Sequence, residues 1–391
     1  MTDGSETKRL PHVARWGRRL AAMTWKEVLQ LSRDLPLLLF LLYSFSIAVF
    51  VSGVGITMQL RNANLLVHDA DHSQSSRELI HRFQAPYFHF SGEISDARQA
   101  LRELDRGRAM LLLDIPPRFH EALVSGERTA VQLLVDTSNA PQGFSAAGYS
   151  VRIAGAFGAQ IGLASIGLSG DAKQSLPVIE SAHRVWFNPN QDETWFQSMS
   201  NVLRMITLFG VLLPAAALVR EKERGTIEQL LVSPLSPFQI MFSKILAMAG
   251  IILIATCLAV YGVLQPVFHV PMKGADGLFF ALTALHIFTT AGLGLVAATV
   301  ARNQAQVGMM TLFLVGPMML LSGITSPFES MPEWVQTVMT FSPLKYYIDV
   351  TYGVMLKGAG LDVLWKPAGA MLFLGGTLFL FGMWRFRRQF E

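Results

Sequence analysis

Charged residues are scarce in this sequence. Asp, Glu, Lys and Arg make up 15% of the 391 residues, whereas soluble globular domains carry about 25%. The apolar residues that take their place form long runs, which is typical of an integral membrane protein. The formal net charge is +4, but no basic stripe is interleaved with aromatic residues, so we expect no nucleic-acid partner.

Cysteine and the common catalytic motifs are also nearly absent. The single cysteine, Cys257, lies in an apolar run and cannot form an intramolecular disulfide. The chain has no G-x-x-x-x-G-K-[ST], G-x-S-x-G, H-E-x-x-H or C-x-x-C motif, which argues against an ATPase, hydrolase, zinc or redox site of its own. We therefore expect a chain that is not an enzyme and binds no cofactor or metal. The glycines of Gly292-x-Gly294-x-x-Ala297 fall inside an apolar run, where they indicate helix packing rather than a dinucleotide turn.

Six apolar runs are long enough to cross a membrane, since a spanning helix needs about 20 residues. They are residues 36–56, 199–219, 241–265, 278–300, 305–324 and 367–384. Lys and Arg collect before the first run, after the sixth, at 220–224 and at Arg302. Because cytoplasmic loops carry the excess of these residues, both termini are predicted to be cytoplasmic.

A seventh apolar run, residues 144–170, contains only Arg152 as a charge. It consists mainly of Ala, Gly and Ser, which favour membrane insertion weakly. A seventh span would also place the C-terminal arginines on the wrong side. The run is therefore predicted to be a long helix outside the membrane.

The region between the first two spans, residues 57–198, has a soluble character. Strand patterns at 64–71, 109–117 and 129–138 alternate with helical patterns, which favours a compact α/β domain. The helical patterns cover 75–83, with Ser75 and Glu78 at capping-box spacing, then 94–108 and a short segment before Gly126. Because this region follows a span that starts inside, it is predicted to be extracytoplasmic.

The cluster HDADH at 68–72 offers two imidazoles and two carboxylates, which suit a metal ion. The same residues directly follow a predicted strand, where a solvated turn is the alternative. No second cluster completes a metal site in the sequence, and a turn is favoured.

Arg204 and His286 lie inside predicted spans and are candidates for lining a transport pathway. Arg204 lies five residues into the second span, where its side chain could equally reach the membrane surface. His286 lies about 12 Å into the fourth span, at 1.5 Å per residue. It is expected to face a water-filled path or to be a neutral imidazole bonded to a neighbouring helix.

The segment REKERGTIEQLLVSPLSP, residues 220–237, separates the second and third spans. Thr226 and Gln229 have capping-box spacing, and Pro234 and Pro237 end any helix that follows. The pattern predicts a very short amphipathic helix at the cytoplasmic surface, with acidic residues that an outside partner could contact. An ordinary capped loop helix is the alternative.

Several stretches resemble ABC-2 type transporter permeases of the subfamily linked to multidrug export. They are EKERGTIEQLLVSPLSPFQIMFSKIL, VHDADHSQSSREL, QLLVDTSNAPQG and SGITSPFESMPEWVQTVMTFSPLKYYIDVTYGVMLKGAGL. The resemblance covers nearly the whole chain. One departure is the start of the second span, FQSMSNVLRMITLFG, which lacks a Pro-Gly pair usual in the family.

The resemblance implies a permease that forms a dimer with a second copy or a paralogue and pairs with a separate ATPase, which holds ATP and Mg. It implies that a short cytoplasmic helix at 220–237 docks on that ATPase, and that residues 325–350 form a re-entrant segment at the outer mouth. The implied coupling residues are Glu221, Glu223, Gly225, Thr226, Glu228, Gln229 and Leu230. The outer segment's residues are Pro327, Glu329, Pro332 and Trp334.

The expected protein is therefore a polytopic α-helical membrane protein with six transmembrane helices and an inserted α/β extracytoplasmic domain. Its predicted layout is a cytoplasmic N-terminus with an interfacial helix (1–35), helix 1 (36–56), the external domain (57–198) and helices 2–6 (199–391). We expect the permease subunit of an ATP-binding cassette exporter in a bacterial inner membrane, moving drug-like or amphipathic molecules. The alternative is a membrane-anchored receptor or scaffold, and the sequence leaves open a periplasmic adaptor protein as a further partner.

Overall fold

The computed structural model divides the chain into two compact units. One comprises residues 1–56 and 185–391, and the other comprises residues 57–184. The residues that the structure describes are 12–55, 60, 62–96, 99, 102–104, 106–127, 129–137, 140–165, 192–226, 235–324, 328 and 331–390.

The first unit begins with three helices, of which the second and third form an interrupted span. They are α1 (His12–Ser32), α2 (Leu35–Phe45) and α3 (Ile47–Gly55). The hydroxyl of Ser44 donates to the carbonyl of Phe40, and the hydroxyl of Ser46 donates to that of Leu42. Hydrogen bonds of this kind to the preceding turn bend helices, which accounts for the break at Ser46.

Within its described residues, the second unit has four strands and three helices of seven residues or more. They are β1 (Ala63–Asp69), α4 (Gln74–His81), β2 (Phe88–Glu93), β3 (Leu111–Ile115), α5 (Phe119–Ser125), β4 (Gln132–Val135) and α6 (Ala140–Ser165). The sheet order is β2-β1-β3-β4. Strand β1 pairs in parallel with β2 and β3, and β4 is antiparallel to β3.

The two central strands of this sheet are buried on both faces. Leu65 and Val67 of β1 lie in one apolar cluster, to which α6 adds Phe157. Leu66 and Leu112 lie in a second cluster on the opposite face. Burial on both faces explains why these strands are continuous apolar runs rather than alternating patterns.

Three of the four strands coincide with the strand patterns of the sequence, and β2 was not predicted. Helix α4 is capped by Ser73, whose hydroxyl accepts from the Ser76 amide; the predicted cap at Ser75 is therefore wrong. The predicted helix at 94–108 lies partly outside the described residues. The run at 144–170 forms α6 as far as Ser165.

The remaining helices return to the first unit. They are α7 (Glu193–Glu223), α8 (Pro237–Ala259), α9 (Asp276–Val300), α10 (Gln304–Leu321), α11 (Glu333–Met339), α12 (Pro343–Tyr352) and α13 (Leu361–Phe390). A π-helical turn extends α8 over Val260–Leu264, and another extends α12 over Gly353–Lys357.

Six helical segments among the described residues are long and apolar enough to cross a membrane, and each overlaps one predicted span. They are α2 with α3, α7, α8 with its π-helical turn, α9, α10 and α13. Helix α7 is the most buried and packs against α3, α8, α9 and α10. Large apolar side chains such as Phe313 of α10 and Phe373 of α13 stay exposed, as suits helices surrounded by lipid.

Glycines allow α9 to approach two neighbouring helices closely. A Cβ on Gly294 would collide with the carbonyl oxygen of Val211 in α7, and a Cβ on Gly292 would press against Leu378 in α13. The prediction that the Gly292/Gly294 motif serves helix packing is confirmed.

Candidate coupling site at the end of the second span

The last turn of α7 carries four consecutive charged residues, and each contacts a different part of the first unit. Successive side chains on an α-helix are rotated by about 100°, so four in a row point around the whole circumference. The neighbours are the start of α2, the helices α1 and α8, the end of α9 and the start of α10. The residues are Arg220, Glu221, Lys222 and Glu223.

Glu221 belongs to a buried ion cluster that joins α7 to α1 and α8. Its Oε1 lies 3.0 Å from Lys244 Nζ and 2.8 Å from Lys26 Nζ. Lys244 Nζ also lies 2.7 Å from Glu27 Oε1. Lys244 is fully buried, and Glu27 and Glu221 are 2% and 3% exposed. Because two ammonium groups face two carboxylates, no net charge is left in the interior, which is the condition under which such burial is tolerated.

The two carboxylates of this cluster raise the pKa of Lys26. Burial of the ammonium group lowers its pKa, but the hydrogen bond to Glu221 and the charges of Glu221 and Glu27 outweigh burial and raise the pKa above 10.5. The charged form of Lys26 is therefore favoured in the folded protein.

The next two residues of α7 bind the termini of two other helices. Lys222 Nζ donates to the carbonyl of Ala298 at 2.6 Å, in the last turn of α9. Glu223 Oε1 accepts from the backbone amide of Gln304 at 2.9 Å, at the first residue of α10. Both groups satisfy backbone positions that have no partner within their own helix. A cation at a C-terminus and an anion at an N-terminus also match the helix dipoles.

Arg220 connects the same turn to the start of the first span. Its Nη2 donates to Asp34 Oδ2 at 3.0 Å. The other carboxylate oxygen of Asp34 accepts from the amide of Leu37 and caps α2. The four charged residues thus bind α7 to α1 and α8, to the start of α2, to the end of α9 and to the start of α10.

The predicted coupling residues that the structure describes differ in their exposure and contacts. Glu221 is buried, so its carboxylate does not lie at a surface where an outside partner could contact it. Glu223 and Gly225 are exposed, and Gly225 has φ +66°, a left-handed conformation that glycine adopts without strain. The Thr226 hydroxyl donates to the carbonyl of Glu221 at 3.3 Å. Glu228, Gln229 and Leu230 lie outside the described residues, and so does the helix that Thr226 and Gln229 were predicted to cap.

Three residues of the ion cluster were not found from the sequence. Lys244 could have been recognised, because a lysine inside a predicted span is rare and indicates a functional site or a buried ion pair. Lys26 and Glu27 are ordinary members of an amphipathic helix. Glu27 is 217 positions from Lys244, and sequence spacing gives no indication of that pairing.

His286 is fully buried and takes the second of its two predicted environments. Its Nε2 lies 2.9 Å from Thr207 Oγ1 of α7, and its ring stacks on Tyr347 with centroids 4.0 Å apart. The Thr207 hydroxyl donates to the carbonyl of Leu203, so the imidazole Nε2 carries the proton in this pair. Its Nδ1 is buried without a hydrogen bond among the described residues.

Arg204 lies eleven positions after the first residue of α7 and is partly buried. The helix starts at Glu193, before the predicted start of the span at residue 199. Arg204 therefore lies further from the N-terminus of the helix than the sequence predicted. The structure does not bring Arg204 and His286 into contact with each other.

Two of the four residues predicted for the outer re-entrant segment are described. Pro332 precedes α11 and accepts from the amides of Val335 and Gln336. Trp334 is 70% exposed. Pro327 and Glu329 lie outside the described residues.

In the inserted unit, the HDADH segment forms the turn after β1. Asp69 Oδ1 accepts from the amides of Asp71 and His72, and its Oδ2 accepts from the Ser76 hydroxyl. Potential ligand atoms of Asp69, His72 and Glu93 lie within 4.8 Å of one another. Both oxygens of Asp69 thus accept hydrogen bonds within the turn, as the prediction of a turn at this segment requires.

Comparisons with known proteins agree with this architecture. Residues 35–384 match the family model described as ABC-2 family transporter protein. Inner membrane transport permease YhhJ of Escherichia coli (strain K12) is 31% identical over 363 residues, which are 93% of this chain and 95% of the relative. Probable multidrug ABC transporter permease YbhR of the same organism is 29% identical over 376 residues, 95% of this chain and 99% of the relative. Probable multidrug ABC transporter permease YbhS is 27% identical over 374 residues, 92% and 96% respectively. The match of the family model to most of the chain shows that this membrane-spanning protein belongs to the ABC-2 transporter family.

Proposed function

We propose that this chain is the permease subunit of an exporter in a bacterial inner membrane, driven by a separate ATPase that binds the segment after α7. Two permease chains would form the transport path, and ATP and Mg would bind to the ATPase subunits. Drug-like or amphipathic molecules are the proposed substrates. The names of the relatives YbhR and YbhS, which are described as probable multidrug permeases, support this substrate class.

The observation that carries the proposal is the arrangement of Arg220 to Glu223. These residues bind α7 to α1, α2, α8, α9 and α10. Only Arg224 separates them from Gly225, the exposed glycine with positive φ. A force applied to the segment after Gly225 would therefore reach α7 and these five further helices through one helical turn. Movement between two discrete packed states is how such a small displacement can open a transport path.

In this proposal the inserted unit lies on the extracytoplasmic side, and both termini are cytoplasmic. The basic residues on α1 and at the end of α13 support this orientation. The inserted unit would be available there to a periplasmic adaptor protein.

Purification with the neighbouring subunits tests the proposal. A permease should co-purify with an ATPase of the P-loop type, and the rate of ATP hydrolysis should change by at least severalfold when the two associate. Stable isolation without such an ATPase would favour a membrane-anchored receptor or scaffold instead.

Labelling in intact cells tests the orientation. The variant Cys257→Ser removes the native thiol, and Arg224→Cys then introduces a thiol beside Gly225. A membrane-impermeant maleimide should label this thiol only after the inner membrane is opened. Labelling in cells with an intact inner membrane would place the segment on the outer side, where an ATPase could not reach it.

A further inference from the structure

A cavity of about 730 Å³ lies between α1, the start of α2 and the end of α7. Its wall carries four cationic side chains and a single carboxylate. The charged residues are Lys26, Arg33, Asp34, Arg220 and Arg224. The cavity is therefore strongly positive, although it lies beside the buried ion cluster described above.

Two of these four cations are already neutralised. Lys26 is bound by Glu221, and Arg220 is bound by Asp34. Arg33 and Arg224 are exposed, and neither has an ion-pair partner among the residues that the structure describes. Within the described part of the chain, two guanidinium groups of the cavity wall are thus without an ion-pair partner, one directly after α1 and the other directly after α7.

The rim of the cavity is apolar. Trp25 and Leu29 of α1 also line it and are 63% and 40% exposed. Leu35, the first residue of α2, lies in the sequence between the lining residues Asp34 and Pro36 and is 64% exposed. An amphipathic helix that carries an exposed tryptophan and basic residues next to a span is typical of the membrane interface.

We propose that this cavity binds the phosphate group of an anionic phospholipid. Arg33 and Arg224 would each donate paired N–H groups to phosphate oxygens, a geometry that guanidinium groups favour. The acyl chains would lie along Leu29 and Leu35. A free phosphate ion fits the site less well, because it would fill a small part of the volume and leave the apolar rim uncovered. Basic pockets beside membrane helices are suited to anionic headgroups.

Such a lipid would have a mechanical effect as well. Arg33 immediately precedes the Asp34 cap of α2, and Arg224 immediately precedes Gly225. A phosphate held by both arginines therefore holds the start of the first span against the end of the second. This site requires only a membrane-embedded protein, so it stands whether or not an ATPase binds the segment after α7.

Lipid binding by the full-length protein tests the proposal. The delipidated protein in detergent would be titrated with phosphatidylglycerol, and bound lipid counted by native mass spectrometry. Each basic residue near a membrane surface contributes roughly a fivefold gain in affinity. We therefore expect the variant Arg33→Gln/Arg224→Gln to bind phosphatidylglycerol about thirtyfold more weakly, and each single variant about fivefold more weakly.

The control removes the same number of charges elsewhere. The variant Arg18→Gln/Arg302→Gln changes one exposed arginine of α1 and one before α10, both outside the cavity. It should keep its affinity for phosphatidylglycerol within about threefold. Equal losses in the two double variants would indicate general surface attraction and overturn the site, as would an unchanged affinity in the cavity variant.

Further measurements identify the ligand and check that each variant is folded. Phosphatidylcholine should bind at least tenfold more weakly than phosphatidylglycerol, and millimolar inorganic phosphate should not displace the lipid. Displacement by inorganic phosphate would overturn the lipid assignment in favour of a free anion.

The melting temperature of each variant must match that of the native protein, and Arg33→Lys/Arg224→Lys, which keeps both charges, should recover part of the affinity.

Discussion

Lys222 and Glu223 are adjacent in the sequence, yet they bind opposite ends of two different helices. Lys222 Nζ lies 2.6 Å from the carbonyl oxygen of Ala298 near the end of α9, and Glu223 Oε1 lies 2.9 Å from the amide of Gln304 at the start of α10. The short connection between α9 and α10 is thus held from both sides by one turn of α7. Any displacement of that turn must move both helices or break these hydrogen bonds.

Glu223→Ala should weaken coupling much more than it weakens folding. The substitution leaves one exposed backbone amide to water, so we expect the free energy of unfolding to fall by about 1 kcal/mol or less. The change in ATP hydrolysis on association with the partner ATPase should fall by at least half, because the start of α10 loses its hydrogen bond to the last turn of α7.

Glu333→Ala is the matched control, since Glu333 is likewise an exposed acid near the N-terminus of a helix, in its case the first turn of α11. It should leave the ATPase rate of the complex unchanged. Normal coupling in Glu223→Ala would show that the contact between α7 and α10 is not part of the transmission.

Lys244→Met should be among the most destabilising single changes in the protein. It leaves Glu27 and Glu221 buried with only Lys26 to balance them. Removing one partner of a buried ion pair costs about 3–5 kcal/mol. Unfolding in mixed micelles should therefore shift to a much lower denaturant fraction.

The double variant Glu27→Gln/Lys244→Met separates charge balance from packing. It leaves Lys26 with Glu221, so the cluster is neutral again, and more than half of the lost stability should return. If the double variant is as unstable as Lys244→Met, the loss is due to the shape of the lysine side chain rather than to the uncompensated charge.

The raised pKa of Lys26 predicts an alkaline limit to stability. A group whose pKa is higher in the folded than in the unfolded protein stabilises the fold fully below the unfolded pKa. This contribution disappears as the pH rises through the folded pKa. The melting temperature should therefore fall as the pH rises above 10.5, the ordinary value for this lysine.

The variant Lys26→Arg isolates this contribution, because a guanidinium group stays charged throughout the range. Its melting temperature should fall less than that of the native protein between pH 10 and 12. Parallel curves for the two proteins would mean that other lysines or tyrosines cause the alkaline loss.

The spans could be predicted from the sequence because a run of about 20 apolar residues has few stable environments other than a bilayer. The packing of Gly292 and Gly294 followed from the same argument, since a dinucleotide turn cannot form inside such a run. Strands β1, β3 and β4 were recognisable because their apolar residues are bounded by turn residues.

The features that were missed depend on contacts between distant parts of the chain. Strand β2, FHFSGE, is an edge strand with mostly exposed residues, and it has no continuous apolar run. In SQSS both Ser73 and Ser75 could cap a helix. When Ser73 is the cap, its hydroxyl accepts from the Ser76 amide, and the Ser76 hydroxyl donates to Asp69 of the preceding strand. The ion cluster follows from the packing of α1 against α8, which hydropathy does not encode.

Gly294→Ala should destabilise the protein through a collision with backbone. The added methyl group would meet the carbonyl of Val211, and a backbone atom inside α7 cannot rotate away as a side chain can. Overpacking of this kind typically costs about 1–3 kcal/mol. Gly250→Ala in α8 is the control, because its added methyl group would meet nothing within 4 Å, and its melting temperature should change little. Equal melting temperatures for the two variants would show that α7 and α9 can separate without cost.

The hydrogen bond between His286 and Thr207 decides between the two roles predicted for this histidine. If the imidazole only joins α9 to α7, its Nε2–H needs an acceptor and its protonation state is irrelevant to transport. Thr207→Val then leaves a buried donor unpaired and should cost about 1–3 kcal/mol. His286→Gln provides an amide donor in place of the imidazole and should keep the pH profile of ATP hydrolysis by the complex unchanged between pH 6 and 8.

A proton-carrying histidine would give the opposite pattern: Thr207→Val would be tolerated, and His286→Gln would flatten the pH profile or abolish transport. The stacking on Tyr347 and the complete burial of the ring favour the first outcome, because a group that exchanges protons with water needs a path to it.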